Sequence, residues 1–171
     1  MSGPPENHPL EGCEWIVIEV ELMAEAFDPF ERLRSWQTRL EDRPGGSPAA
    51  SSQFIGRVRS RSLEGSPLDA LELEHYPGMT EAVLGTLVTE AARSHGDVGG
   101  VLVVHRIGRV LPGEAIVVVA VAADRRGPSQ RCTRDLLEAL KHDAPFWKRE
   151  WTGPQGRWIT ANTPWREESD L

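Results

Sequence analysis

The sequence predicts a single α+β domain, and three observations support this fold class. A chain of 171 residues fits one domain, and a domain of that size buries about 70% of the surface that its unfolded chain exposes. Stretches with helical periodicity occur beside stretches with the alternation or branched side chains of strands. The apolar run of residues 116–123 lacks alternation, so it predicts a central strand covered on both faces.

The first part of the chain combines a polar tail with a strand, a helix and a loop. Residues 1–12 are polar and rich in proline, which predicts a disordered tail before a domain of residues 13–163. Residues 15–22 are typical of a strand, and Asp28 and Pro29 suit the cap and the first position of a helix. Residues 42–52 contain too little apolar surface to pack, which predicts a mobile loop.

A second strand is predicted for residues 54–61, with a row of arginines on one face. The row consists of Arg57, Arg59 and Arg61. A Gly-Ser-Pro turn and a further strand at residues 68–75 complete a predicted hairpin, in which Glu72 and Glu74 would oppose the arginines. Two interpretations of the arginine row remain open, namely cross-strand ion pairs and an anion-binding site.

The remaining chain predicts two further helices and three short strands around the central run. The helices cover residues 80–94 and about 128–141. The second of them carries its apolar side chains on an inner face, namely Cys132, Leu136, Leu137 and Leu140. The short strands cover residues 101–104, 107–111 and 157–160. Residues 164–171 predict a frayed, acidic C-terminal tail.

Composition excludes several functional classes. A formal net charge of −7 argues against a general nucleic-acid binder. The two cysteines, Cys13 and Cys132, have no neighbouring Cys or His at metal-ligand spacing, so neither a zinc site nor a disulfide scaffold is indicated. No run approaches the roughly 18 apolar residues of a membrane span, and we expect a protein of the reducing cytoplasm.

The densest group of chemically usable side chains lies in residues 141–150. Pro145 ends the preceding helix, so Lys141 and Lys148 come from different backbone geometries and the chain can bring them together. The Phe146-Trp147 pair between them is predicted to be buried. The alternative interpretation is that both lysines are solvated and lie beside a core aromatic pair.

Arg125 and Arg126 form a second candidate site, because they lie between a strand end and a helix start. Free backbone N–H groups and the helix dipole favour an anion there, although solvated loop arginines remain the alternative. The following helix spans roughly 20 Å, so this pair and Lys141 cannot meet around one small ligand within a single chain. If both serve one site, the chain must dimerise.

Five separated segments together resemble the large, catalytic subunit of molybdopterin synthase. The segments are FIGRVR at 54–59, LEHYPGMT at 73–80, VHRIG at 104–108, PGE at 112–114 and LKHDAPFWKRE at 140–150. Their order and spacing hold from about residue 15 to residue 161. The resemblance implies an α/β hammerhead fold with an additional antiparallel β-sheet. It also implies sulfur transfer to cyclic pyranopterin monophosphate, which forms the dithiolene of molybdopterin.

The resemblance also implies partners and site residues. The chain would be a homodimer within a heterotetramer, and a small ubiquitin-like subunit would insert a Gly-Gly tail that ends in a thiocarboxylate. No metal or dissociable cofactor is called for, since sulfur arrives on that tail. The catalytic residues would be Lys141 and Lys148. The substrate-binding residues would be Arg57, Val58, Arg59, Arg125, Arg126, Arg149 and Glu150.

The residue types suit such chemistry, with one departure from the family pattern. Arginines can hold an anionic substrate, and a lysine can move protons if burial and nearby cations lower its pKa. Our hypothesis assigns acid/base action or an acyl intermediate to Lys141 and charge stabilisation to Lys148. Relatives usually have His where this chain has Arg125, and arginine cannot exchange a proton near neutral pH. Two alternatives are a catalytically silent paralogue that binds the small subunit and a non-enzymatic anion-binding module.

Overall fold

The computed structural model describes residues 15–159, which contain three helices and eight strands in two sheets. The helices are α1 (Pro29–Glu41), α2 (Met79–Ser94) and α3 (Arg126–His142). The strands are β1 (Val17–Met23), β2 (Ala50–Arg57), β3 (Ala70–His75), β4 (Val98–Arg106), β5 (Gly108–Val110), β6 (Ala115–Ala123), β7 (Phe146–Thr152) and β8 (Gln155–Ile159). The predicted tails at residues 1–12 and 164–171 lie outside the described residues.

The first sheet has the strand order β1-β4-β6-β2 and is covered by helices on both faces. β1 runs parallel to β4, whereas the β4–β6 and β2–β6 pairs are antiparallel. Helices α2 and α3 pack on one face of β4 and β6, and α1 packs on the other. β6 is therefore a central strand apolar on both faces, which confirms the prediction for residues 116–123.

Local sequence signals determine where α1 begins. The Asp28 carboxylate accepts a hydrogen bond from the Phe30 backbone N–H at 2.8 Å, and Pro29 occupies the first turn. Leu33, Trp36 and Leu40 then face the sheet and are buried. None of the helices in the described part of the chain is long and apolar enough to cross a membrane.

The second sheet has the order β5-β3-β7-β8 and is antiparallel throughout. Its inner face packs Leu71, Leu73 and Val110 against Val58, which follows β2. This sheet positions the β7 side chains over the end of the first sheet. The α+β class with an additional antiparallel sheet is confirmed.

The predicted hairpin between residues 54–61 and 68–75 is wrong for the strands themselves, although an isolated antiparallel bridge joins Arg61 to Pro67 beside the predicted turn. β2 pairs with β6 in the first sheet, while β3 pairs with β5 and β7 in the second. Pairing with β6 places β2 beneath α3, and pairing with β7 leaves the apolar face of β3 against Val58. Both sheets therefore gain buried surface that a local hairpin would leave exposed.

The predicted loop at residues 42–52 is also wrong at its C-terminal end. Ala50, Ser51 and Ser52 belong to β2 and pair with Ala123, Ala122 and Val121 of β6. Their side chains are small and partly polar, but a strand needs only backbone hydrogen bonds from its neighbour, and β6 supplies them. The composition of this segment therefore did not indicate where the strand begins.

Candidate active site

Two adjoining clefts meet at the Lys148 side chain. The larger cleft, of about 510 Å³, lies between α3, the end of the first sheet and the start of β7. The smaller cleft, of about 190 Å³, lies between the segment after β2 and the inner face of the second sheet. Lys148 and Ile116 line both clefts. A ligand that fills both spaces would therefore pass the Lys148 amine.

The break after α3 brings the two predicted catalytic lysines into one cleft. α3 ends at His142, where the Asp143 backbone N–H donates to the Ala139 carbonyl at 2.8 Å. The chain then passes Pro145 and continues as β7, so that Lys148 sits on a strand opposite Leu73. Lys141, on the last turn of the helix, lines the larger cleft with Lys148. The structure thus places both amines at the same cavity.

Burial is the main cause that lowers the pKa of Lys148, and the positive charge of Lys141 lowers this pKa further. Both effects disfavour the charged ammonium form. A larger fraction of the Lys148 amine is therefore neutral near pH 7 than for an exposed lysine. The two causes agree with the sequence-based expectation that burial and a neighbouring cation act on a lysine here.

The predicted arginine segment lines the smaller cleft. Arg57, Val58 and Arg59 contribute to it beside Lys148 and Glu150. The Arg57 side chain also donates a hydrogen bond to the Gly113 carbonyl at 3.1 Å. Arg57, Arg59 and Lys148 therefore bring positive charge to one small cavity, and such a cavity favours an anion.

Sequence reasoning did not select two further residues at the clefts. Arg157 lines the smaller cleft while forming an ion pair with Glu64 at 3.0 Å. His105, near the end of β4, lines the larger cleft and is only 7% exposed. A histidine at the end of an apolar strand was the available signal for His105. His105 also belongs to the VHRIG segment at 104–108, one of the five segments that carry the family resemblance, so the sequence offered a second reason to select it.

The His105 ring is held between two contacts. Its Nδ1 donates to the Arg106 carbonyl at 2.8 Å, and the ring stacks on Phe146 with centroids 4.1 Å apart and an interplanar angle of 10°. Burial lowers the pKa of His105 to about 4, and the Lys148 charge contributes in the same direction against the opposing effect of the Arg106 hydrogen bond. The imidazole is therefore neutral at pH 7.

Arg149 lies away from both clefts, unlike its neighbour Glu150. Strand alternation directs Lys148 and Glu150 towards the smaller cleft and Arg149 to the opposite face of the sheet. There Arg149 pairs with Glu72 at 3.0 Å and Glu74 at 3.2 Å. Its guanidinium also lies over the two rings nearest to it, Trp151 at 4.8 Å and Trp158 at 4.5 Å. The glutamates predicted to oppose the arginine row thus bind Arg149 instead.

The prediction that Phe146 and Trp147 form a buried pair is wrong for Trp147. This side chain is 45% exposed and meets Tyr76 edge to face at 5.3 Å. Consecutive residues of a strand point to opposite faces of the sheet. Phe146 therefore faces the larger cleft while Trp147 faces away from it.

Arg125 and Arg126 lie at the far end of α3 from Lys141. The helix has 17 residues, so the rise between Arg126 and Lys141 is about 22 Å at 1.5 Å per residue. Arg125 forms an ion pair with Asp97 of its own chain, although its side chain is 74% exposed. Within one chain, the structure does not bring these arginines to the lysines.

Sequence comparisons associate the chain with one family. A family model described as "MoaE protein" matches residues 27–143. A relative from Ralstonia nicotianae is 44% identical over 112 residues, which span 66% of this chain and 62% of that relative. A relative from Escherichia coli K12 is 45% identical over 108 residues, 63% of this chain and 71% of its own length. Both relatives are named molybdopterin synthase catalytic subunit.

Structural comparisons identify the same group of proteins. A molybdopterin biosynthesis MoaE protein from Burkholderia ambifaria has a TM-score of 0.68 and 35% identity, with 84% of this chain and 89% of that chain covered. A molybdopterin synthase structure from Staphylococcus aureus has a TM-score of 0.70 and 25% identity, with 82% of this chain and 96% of that chain covered. These structures share the fold described above.

Proposed function

The chain belongs to the MoaE family, and on this premise we propose that it is the catalytic subunit of a molybdopterin synthase. It would transfer sulfur from the C-terminal thiocarboxylate of a small partner subunit to cyclic pyranopterin monophosphate, forming the molybdopterin dithiolene. The observation that carries this proposal is the Lys148 amine, which is partly buried and placed where a cationic cleft meets a cleft with several apolar walls. We also propose a cytoplasmic location.

The smaller cleft suits the phosphate-bearing end of the substrate. Arg57, Arg59 and Lys148 supply positive charge at the lining of a cavity of about 190 Å³. Guanidinium groups bind phosphate oxygens through paired hydrogen bonds. The carboxylate of Glu150 lies on the same wall and can accept hydrogen bonds from neutral donors of the substrate.

The larger cleft suits the tail of the partner subunit. Its walls include the apolar side chains of Phe54, Val117, Leu137, Leu140 and Phe146. A Gly-Gly tail has no side chains, so its backbone can enter a narrow space that ends at Lys141 and Lys148. The two amines then attract the thiocarboxylate anion and hold it beside the substrate cleft.

The two lysines divide the chemistry between them. The lowered pKa of Lys148 makes this amine the better proton acceptor near neutral pH. Lys141 lies at the cleft wall on a helix end, where its amine can hold the thiocarboxylate. Once the tail sulfur is bonded to the substrate, the neutral amine can instead attack the tail carbonyl carbon: an amide forms, the C–S bond breaks, the sulfur stays on the substrate and Lys148 takes the proton. This division moves the proton-transfer role from Lys141, to which the sequence-based hypothesis assigned it, to Lys148.

The site is completed by a second copy of the chain. Arg126 is about 22 Å along the helix axis from Lys141, yet both suit the binding of one anionic substrate. A homodimer in which Arg126 of one subunit reaches the lysines of the other satisfies both requirements. Binding of a small subunit to each active site then produces a heterotetramer. The word "subunit" in the relatives' name supports an assembly with further chains.

A subunit-mixing experiment tests this shared site. The variants Lys141→Ala and Arg126→Ala should each be inactive alone. After dissociation and reassociation of an equal mixture, half of the dimers are mixed and each mixed dimer has one intact site, so about a quarter of wild-type activity should return. The matched control mixes Lys141→Ala with Lys148→Ala. These residues belong to the same half of the site, so no activity should return, and equal recovery in both mixtures would reject the shared site.

Reconstitution tests the function itself. The purified protein is combined with a thiocarboxylated small subunit and cyclic pyranopterin monophosphate, and molybdopterin is then measured. We expect product. A stable complex without product would instead identify a silent paralogue, a possibility raised by Arg125 and its pairing with Asp97. Absence of both complex and product would reject the proposed function.

A further inference from the structure

We propose that His105 is a positioning residue that holds Lys148 at the junction of the two clefts and shields its amine from water. Only the predicted effect of His105 on turnover rests on the proposed function. The placement of Lys148 is a property of the isolated chain and can be measured without substrate.

The anchor of the His105 ring is rigid. Nδ1 donates to the Arg106 carbonyl at 2.8 Å, so the neutral ring carries its proton on Nδ1. Arg106 is itself buried, and its guanidinium donates to the Arg109 carbonyl at 3.0 Å and the Ala24 carbonyl at 3.3 Å. It also pairs with Glu114 at 3.4 Å. The end of β4 is thereby fixed, and the imidazole with it.

The contact between the two rings also fixes the position of β7. His105 stacks on Phe146 with an interplanar angle of 10°. Phe146 is the first residue of β7, directly after Pro145, and its side chain lies on the same face of the strand as Lys148 two residues later. The stack therefore secures the strand at the point where the chain has just left α3.

The neutral His105 ring also determines the charge and the water access around Lys148. The titratable groups that line the larger cleft with His105 are Lys148 of β7 and Glu138, Lys141 and His142 of α3. A charged imidazole would add a third cation beside the two lysines, whereas the neutral ring excludes water without repelling them. Burial of the amine is the main cause of the lowered pKa of Lys148, and the His105 ring lines the same cleft as this amine.

The test measures how readily the Lys148 amine reacts as pH is varied. An amine-selective acylating reagent is applied to the isolated protein between pH 6 and 11, and mass spectrometry follows modification of Lys148. The midpoint of the pH profile reports the pKa of this amine independently of its absolute reactivity. His105→Asn keeps a donor near the Arg106 carbonyl but removes the ring, whereas His105→Phe keeps a ring but removes the donor.

We expect the midpoint to rise in His105→Asn, with about a tenfold smaller neutral fraction at pH 7 for each unit of rise. His105→Phe keeps a ring beside Phe146 but lacks the Nδ1 donor, so its midpoint should rise less than that of His105→Asn. Phe146→Leu abolishes the same ring stack by removing the Phe146 ring. This variant should also raise the midpoint, so the proposal can be tested even if His105→Asn does not fold. His95→Asn is the control, because His95 pairs with Asp135 at 3.0 Å between α2 and α3, away from both clefts.

An unchanged midpoint in His105→Asn, or an equal rise in His105→Phe, would overturn the proposal. In the reconstituted reaction, His105→Asn should lower kcat more than it raises KM, and His105→Phe should restore much of the loss. If wild-type protein forms no product while the midpoint still shifts, the proposed function fails and the positioning role stands.

Discussion

Replacement of Lys141 by alanine should abolish dithiolene formation while leaving the fold intact. Lys141 is only partly buried at the last turn of α3, and the buried side chains of Leu136 and Leu140 hold the helix in place. Truncation therefore removes an amine from the larger cleft without opening the core. Loss of the amine that holds or attacks the tail should lower the rate by at least the roughly 10²–10⁴-fold that a positioned catalytic group contributes. Product formation and the melting temperature are the two measurements.

Two matched variants test the role of the Lys141 amine more specifically. Lys141→Arg keeps the positive charge but has no amine that can form an acyl intermediate, so we expect it to bind the thiocarboxylate tail and remain inactive. Arg134→Ala removes an exposed cation from the same helix, where Arg134 pairs only weakly with Asp135 at 3.1 Å, and should turn over normally. Wild-type turnover by Lys141→Ala would remove Lys141 from the mechanism.

The protein should lose stability between pH 6.5 and 4 because His105 is buried in its neutral form. Its pKa falls from 6.5 to about 4 on folding. Above pH 6.5 neither state binds the proton, so the stability is unaffected. As pH falls below 6.5 the unfolded chain binds the proton first, and unfolding is favoured. The loss reaches about 2 kcal/mol at pH 5 and about 3 kcal/mol at pH 4.

Urea unfolding at pH 7.5, 6, 5 and 4.5 measures this loss. Other ionisable groups contribute to the pH dependence of both proteins, so the decisive quantity is the difference between wild type and His105→Phe. The variant has no proton to bind at this position and should lose less stability with falling pH. Parallel pH dependences in the two proteins would show that His105 is not neutral when buried.

Local sequence signals were reliable where a short segment determines its own structure. Asp28 and Pro29 predicted the start of α1, and the apolar run within β6 predicted a strand covered on both faces. Pro145 likewise predicted the break that separates Lys141 from Lys148. Each signal depends on backbone geometry or on burial within a few residues, so no knowledge of distant partners was needed.

Strand pairing was not predictable from the same signals. β2 and β3 are neighbours in sequence and carry opposite charges, yet each pairs with strands far along the chain. The choice depends on the total apolar surface buried by two sheets and three helices, which no local pattern contains. Arg149 illustrates the consequence of this pairing. Its partners, Glu72 and Glu74, were expected to face the row of arginines at residues 57–61.

By itself, the sequence determined the helix ends, the central strand and the chemical types available at the site, because capping, proline geometry and apolar periodicity act over short distances. Only the tertiary structure decided which charged groups share a cavity. Alternation in β7 separates Arg149 from Lys148, and the stack of His105 on Phe146 joins two strands of different sheets. The lowered pKa of Lys148 depends on burial by residues remote in sequence, and burial exists only after the chain has packed.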